Sequence, residues 1–512
     1  MNRIKTLYLQ SPVYVVFLAA YPVVSLLAFN IDQVFPHDIT RSLMLSILTA
    51  SLLLLLLRLM GKDWQITGVL ASLFLIWFFI YGRLYAPLKS FSIADVVVGR
   101  HRFLLPLWSL ILFAIAVWLM KRPKIVPAIT IGLNIFTSVL ICLPVLQILW
   151  FQYQASMVPE IPRGNAGESW IQLPDDSMPP DIYYIVLDAY TRSDVLENEF
   201  GIDNSNFLTS LQTMGFEISD CATSNYTRTR HSLTSTFNME YIQALDPHEQ
   251  NFDYQTWLTS AFKENRVREL LAGLGYKTIA FNHPWQRFVW DDADILFQSS
   301  TTGLLNPFED MLLRTTVIRV YLDLQQVENL QLPNYINYVD TLYALEQLQK
   351  VPKIKGPKLV FAHLIIPHPP FVFGPEGEKI SIPYDPDEGN IYTEENYKQG
   401  YRAAVTYINT RMSEILPVLI RDSDPPPIVI IAGDHGTPWG GTDNAVKILA
   451  AFYTPERESL FSENITLVNV FRIIFDTYFK GEFGVLPDRN YISGKEEFIE
   501  ITNQTDDCGS NY

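Results

Sequence analysis

Five apolar stretches crowd into the first 152 residues, at about 11–30, 42–60, 65–82, 103–120 and 125–152. Each is long enough, or nearly so, to cross roughly 30 Å of hydrocarbon as a helix. A cleaved signal peptide with MNRIK as its basic end would account for the first stretch alone, not for the four behind it. The chain is therefore predicted to begin with a five-helix transmembrane bundle over residues 1–152.

Charge divides along the same line. Residues 1–152 hold twelve Lys or Arg and four acids, which leaves 26 basic against 50 acidic residues in the remainder, a net of about −24. A field of that sign repels nucleic acid and excludes it as a partner. Among the loops, Arg3, Lys5, Arg58, Lys62, Lys121, Arg122 and Lys124 fall on one side of the membrane, and Arg41, Arg83, Lys89, Arg100 and Arg102 on the other. Seven against five favours a cytoplasmic N-terminus, and five crossings then put everything after residue 152 outside the cell membrane. The basic 83–102 loop opposes that orientation unless its charges meet lipid head groups.

Residues 153–179, rich in Pro, Gly and acids with no apolar period, read as a linker. Residues 180–512 are enough for one large domain with a substantial core. Runs at 181–187, 277–281, 358–364, 427–433 and 448–453 read as buried strands, with helices at 257–274, 335–350 and 394–420 between them. That alternation predicts an α/β domain with a mostly parallel central sheet. Of three cysteines, Cys142 lies in the fifth apolar stretch, while Cys221 and Cys508 are able to pair in an oxidising compartment or to stay free.

Working groups in such sheets gather beyond the carboxyl ends of the strands. Asp188 directly follows DIYYIVL, His363 ends KLVFAH, and Asp434 and His435 directly follow PIVIIAG. Oxygen and imidazole donors at strand ends are what a Zn²⁺ or Mn²⁺ site needs. Taken singly, an Asp after a strand is more often a cap or turn residue. Between these strand ends lies SNYTRTRHSLTS, residues 224–235, dense in hydroxyls.

In these features the chain resembles the alkaline phosphatase superfamily, in the membrane-anchored, sulfatase-like branch that includes lipoteichoic acid synthase and the phosphoethanolamine transferases. The resemblance spans anchor, linker and outer domain. It implies that Asp188, Thr229, Asp434 and His435 share a divalent metal, with Thr229 as nucleophile; lipoteichoic acid synthase has Glu where Asp188 stands. Thr229 precedes Ser232 by three, as in the transferase T-x-x-S pattern, and Thr227, Ser232 and Thr234 stay as competitors. FNHPWQRF resembles a head-group-binding segment of lipoteichoic acid synthase and nominates His283, Trp285 and Arg287, with a surface loop as the alternative. His363 and His368 match an H-x-x-x-x-H spacing of the phosphoethanolamine transferases and are candidates for gripping phosphate or donating a proton. With no histidine after His435, the resemblance implies one metal ion.

Formylglycine sulfatases need Cys or Ser in a C/S-x-P/A-x-R context, which T-R-H-S-L lacks. The implied chemistry is a two-step displacement: the Thr229 hydroxyl attacks a phosphodiester, and a second alcohol resolves the phosphothreonine. A phospholipid donor and an envelope glycan or lipid acceptor fit a membrane anchor. A phosphodiesterase or other hydrolase using water, and a non-catalytic envelope-binding protein, are the alternatives.

Overall fold

The computed structural model describes residues 10–31, 33–60, 63–93, 96–157, 170–175, 178–245, 252–299, 305–324, 332–382, 392–494 and 497–501. Most of the expected linker, and Cys508, lie outside them. The chain forms two compact units, one of residues 1–156 with 302–333, the other of 157–301 with 334–512.

In the first unit, helices α2 (Thr40–Leu59), α3 (Trp64–Leu88), α4 (His101–Met120) and α5 (Val126–Ala155) are long and apolar enough to span a membrane. The expected fifth, α1 (Tyr14–Phe29), has 16 residues. Its Tyr14, Val15, Ala19 and Val23 are fully buried. Polar ties hold it: the Asn134 side chain accepts from the Tyr14 N–H (2.9 Å), and the Ser46 hydroxyl donates to the Ala19 carbonyl (2.6 Å). Leu48, Leu52, Leu55 and Leu56 of α2 are exposed instead, the pattern expected of a lipid-facing side.

Residues 302–333, read above as part of the outer domain, complete this unit. Asn306 and Glu309 form a capping box that starts helix α8 (Pro307–Thr315), and Arg41 pairs with Glu309. Further on, His101 Nε2 meets Asp323 at 3.0 Å, and Arg319 lies over the Tyr85 ring. Two of the groups beyond α1 and α3 thus find carboxylates of the chain itself.

The second unit is built on a seven-stranded sheet. Its strands are β1 (Ile182–Leu187), β2 (Glu217–Ile218), β3 (Lys277–Phe281), β4 (Ile295–Phe297), β5 (Lys358–Leu364), β6 (Ile428–Ala432) and β7 (Ala450–Tyr453), in the order β2-β7-β6-β1-β5-β3-β4. Strands β6, β1, β5, β3 and β4 run parallel, while β7 and β2 add an antiparallel edge. β1, β5 and β6 are buried along their whole length, which explains their continuous apolar sequences. One face is covered by helix α11 (Glu394–Asp422), the other by α7 (Thr229–Asn238), whose Phe237 packs edge-on against Tyr184 and Phe361. The helix expected over 257–274 is two, because the Asn265 side chain caps the Arg268 N–H and starts a new one.

Candidate active site at the strand ends

The parallel strands deliver their polar residues to one rim. Asp188 leaves β1 and is fully buried; Asp434 and His435 leave β6, likewise buried. The His435 ring donates through Nδ1 to the Gly436 carbonyl (2.8 Å), so Nε2 is left as a lone-pair donor. That atom lies 3.6 Å from Asp188 Oδ1 and 3.6 Å from Asp434 Oδ2, and neither oxygen has any other partner. Two buried carboxylate oxygens without a hydrogen-bond partner thus both face His435 Nε2. Ligands around a tetrahedral ion with bonds of roughly 2.1 Å stand about 3.4 Å apart, so the spacing fits a divalent cation. Asp188, His368 and His435 form one potential ligand group, and Asp188, His363 and Asp434 a second that shares Asp188.

The remaining oxygens are held. Asp434 Oδ1 accepts from the Ala189 N–H (3.1 Å), and Asp188 Oδ2 from His363 Nε2 (2.9 Å). Ala189 reaches its position only in the left-handed region, at φ 60°, a strained backbone for a residue with a Cβ. The Tyr401 hydroxyl pins it by donating to the Ala189 carbonyl at 2.8 Å. Burial works against ionisation of Asp188, yet the charges of His368, His363 and His435 outweigh it and hold its pKa well below the carboxylate range. For His435, burial opposes a proton, but the fields of Asp434 and Asp188 and the Gly436 carbonyl prevail and raise its pKa.

Helix α7 begins at Thr229 after an extended Arg228, with no side chain capping its first turn. Its first-turn N–H groups and dipole are therefore available to an anion. Most of the competing hydroxyls are engaged: Ser224 donates to the Tyr226 carbonyl, Thr227 accepts from the Ser493 N–H, and Thr234 and Ser235 donate to the carbonyls of Leu258 and Glu240. Ser232 is buried and its hydroxyl has no hydrogen-bond partner. Three loops meet at residues 446–449: the Gly433 N–H donates to the Leu449 carbonyl, the Leu449 N–H to the Tyr190 carbonyl, and the Ser224 N–H to the Val446 carbonyl. This short run ties together the loops bearing Asp188, Thr229 and Asp434, and nothing in its sequence, VKIL, announces the role.

The other nominated residues divide. Trp285 meets His368 edge-on at 4.9 Å between ring centroids, and His368 meets His435 at 6.1 Å. Arg287 is buried in the turn Gln286–Phe288. His283 lies 4.8 Å from the His363 ring, but its own nitrogens are used: Nδ1 accepts from the Trp285 N–H and Nε2 donates to the Phe288 carbonyl. Burial and the neighbouring His363 push its pKa down to about 3, so it is a neutral, internally satisfied imidazole. His363, fully buried, buttresses Asp188.

No curated protein matches the chain. Solved structures do, at low identity. The zinc complex of the C-terminal periplasmic domain of EptC from Escherichia coli is 11% identical, with a TM-score of 0.43, over 67% of this chain and 96% of that one. The membrane protein lipooligosaccharide phosphoethanolamine transferase A from Neisseria meningitidis is 11% identical, with a TM-score of 0.40, over 91% of this chain and 95% of that one. The corresponding periplasmic domain of phosphoethanolamine transferase EptC from Campylobacter jejuni is 14% identical, with a TM-score of 0.38, over 61% and 94%. The sulfatase family profile matches residues 180–465, more than half of the chain and all of the rim just described. The chain belongs to the sulfatase family.

Proposed function

We propose that this protein is a phospholipid head-group transferase, of the phosphoglycerol or phosphoethanolamine type, acting through a covalent phosphothreonine at Thr229. The observation that carries the reading is the pair of unpartnered buried oxygens on Asp188 and Asp434, each 3.6 Å from His435 Nε2, together with a helix that opens on Thr229 with no side chain capping it. A Mn²⁺ or Zn²⁺ ion held by these residues and Thr229 would supply the Lewis acidity that makes a threonine hydroxyl nucleophilic at neutral pH.

With its hydroxyl proton given up to water, the Thr229 oxygen forms a bond to phosphorus as the bond from phosphorus to the diacylglycerol oxygen breaks. First-turn N–H groups of α7 stabilise the charge gathering on the other phosphate oxygens. His368, half-buried and backed by Trp285, gives a proton to the leaving oxygen and takes one from the incoming acceptor hydroxyl. Arg287 offers a planar fork to two phosphate oxygens. The acceptor is a hydroxyl of an envelope glycan or lipid. Residues 1–152 anchor the enzyme in the cell membrane, with α1 as a fifth crossing and residues 180–512 outside. Family membership favours a second reading, in which water resolves the same phosphothreonine and the enzyme is a phosphodiesterase.

Detergent-purified protein loaded with Mn²⁺ or Zn²⁺ and offered a phospholipid panel tests this directly. Diacylglycerol release from one lipid, absent in Thr229→Ala, is expected. Mutant-sensitive cleavage of a soluble aryl phosphodiester, with no release from any lipid, would replace the transferase by the hydrolase.

A further inference from the structure

Four residues past His435 stands Trp439, half-buried, for which the chemistry above has no task. Its ring stacks on Tyr397 with centroids 5.0 Å apart and planes 18° from parallel. Tyr397 stacks on Tyr401 (6.0 Å, 11°), and Tyr401 on Phe200 (4.3 Å, 21°). Phe200 also meets Tyr397 at 6.3 Å, so the rings form a cluster rooted in the core, with Trp439 at its outer edge. The Tyr397 and Thr437 hydroxyls lie 3.1 Å apart, and the Trp439 backbone N–H donates to the Thr437 hydroxyl oxygen at 3.2 Å, which fixes the cluster two residues from His435.

The loop carrying Trp439 is shaped with equal care. The Gly436 N–H donates to the Ala445 carbonyl (2.9 Å), and Asn444 Nδ2 to the Trp439 carbonyl (3.1 Å). At Gly440 φ is +82°, and a Cβ there would come within 2.3 Å of Glu199 Oε1 and 2.6 Å of Asn444 Nδ2. Glycine adopts this φ freely, and its absence of a side chain lets a carboxylate approach the residue next to Trp439. Thr442 and Asp443 continue this polar rim and are exposed.

A single flat aromatic face with a rim of hydrogen-bonding oxygens suits the C–H face of a sugar ring, whose hydroxyls point outward to that rim. A cation is better held by several accessible rings set around it, whereas Phe200, Tyr397 and Tyr401 are buried and Trp439 alone of the four is not. We propose that Trp439 is the stacking platform for a pyranose ring of the acceptor, with Glu199 at its edge accepting from the sugar hydroxyls. This rests on the head-group transfer reading and names the acceptor side of the same site.

The test is sugar binding by the full-length Thr229→Ala protein with Mn²⁺, followed by saturation-transfer NMR with a glucosamine disaccharide as probe. Ring-proton signals are expected, with affinity weakened roughly tenfold or more when Trp439→Ala is added and largely kept with Trp439→Phe. Choline should not displace the sugar. Equal binding with and without the indole, no binding at all, or displacement by choline overturns the platform. Sugar binding that depends on Trp439, in a protein whose wild type releases no head group from any phospholipid, would sink the transferase reading and leave the platform standing.

Discussion

Strand β1 carries a buried aspartate at each end, and the two live in opposite conditions. At the amino end, Asp181 accepts from Lys358 Nζ at 2.6 Å, while the same ammonium also donates to the Gly356 carbonyl. Burial leads over that partner and raises the Asp181 pKa. At the carboxyl end, Asp188 faces three histidines and keeps one oxygen with no partner. Neutralised pairs are how a fold tolerates buried charge; unmatched donors converging on a point are what a site needs before its ligand arrives. The contrast teaches that burial of an acid says little by itself, and that the tally of its partners says what it is for.

The largest effects should fall at the carboxyl end. Asp188→Asn or Asp434→Asn is expected to lower turnover by about 10³-fold or more with melting temperature nearly kept, and chelation should do the same reversibly. Head-group release with metal titration checks both. A variant that unfolds instead would show that these acids, too, are structural.

Next in size is the amino end. Asp181→Asn leaves the Lys358 ammonium buried and uncompensated, at a cost of about 3 kcal/mol or more in stability, with kcat preserved in the folded fraction. Chemical denaturation of the single variant beside Asp181→Asn/Lys358→Met measures it, and the double variant should recover much of the loss. A catalytic defect in Asp181→Asn would erase the distinction between the two ends.

The unmatched character extends to His231, two residues past Thr229, whose ring nitrogens are buried without partners. Burial, aided by Arg228 and Arg230, depresses its pKa to about 3. Between that value and the ordinary range near 6.5, the unfolded chain takes up a proton that the folded one refuses. Stability should therefore fall as pH drops below about 6.5, by roughly 1.4 kcal/mol per unit, and His231→Phe should remove that slope. Melting curves of the two proteins from pH 7 to pH 4 check this.

The smallest effect concerns strain. Ala189→Gly should stabilise the domain by about 1 kcal/mol, because glycine accepts φ 60° freely, and should lower turnover slightly by loosening the link to Asp434.

Much of the rim was legible because a buried parallel strand is written as an unbroken apolar run that turns polar where it surfaces. IYYIVL followed by Asp188 and IVIIA followed within two residues by Asp434 are such junctions. What local pattern does not encode is which distant groups answer each polar atom. His283 looks like a substrate contact in FNHPWQRF until both its nitrogens are found engaged. Tyr397 reaches the rim from the long helix α11, and Ala189 owes its backbone to Tyr401 of the same helix, across more than 200 residues. The return of residues 302–333 to the membrane unit depends on pairings such as Arg41 with Glu309, which sequence spacing cannot forecast.

The central claim is a phosphoryl group carried on Thr229. Acid-quenching the metal-loaded enzyme within its first turnover on a phospholipid, followed by peptide mass spectrometry over residues 224–235, tests it. The account predicts a head-group phosphodiester on Thr229, formed as diacylglycerol appears and discharged when an acceptor is added. Release of diacylglycerol with that peptide unmodified, or modified on Ser232 or Thr227, would contradict it.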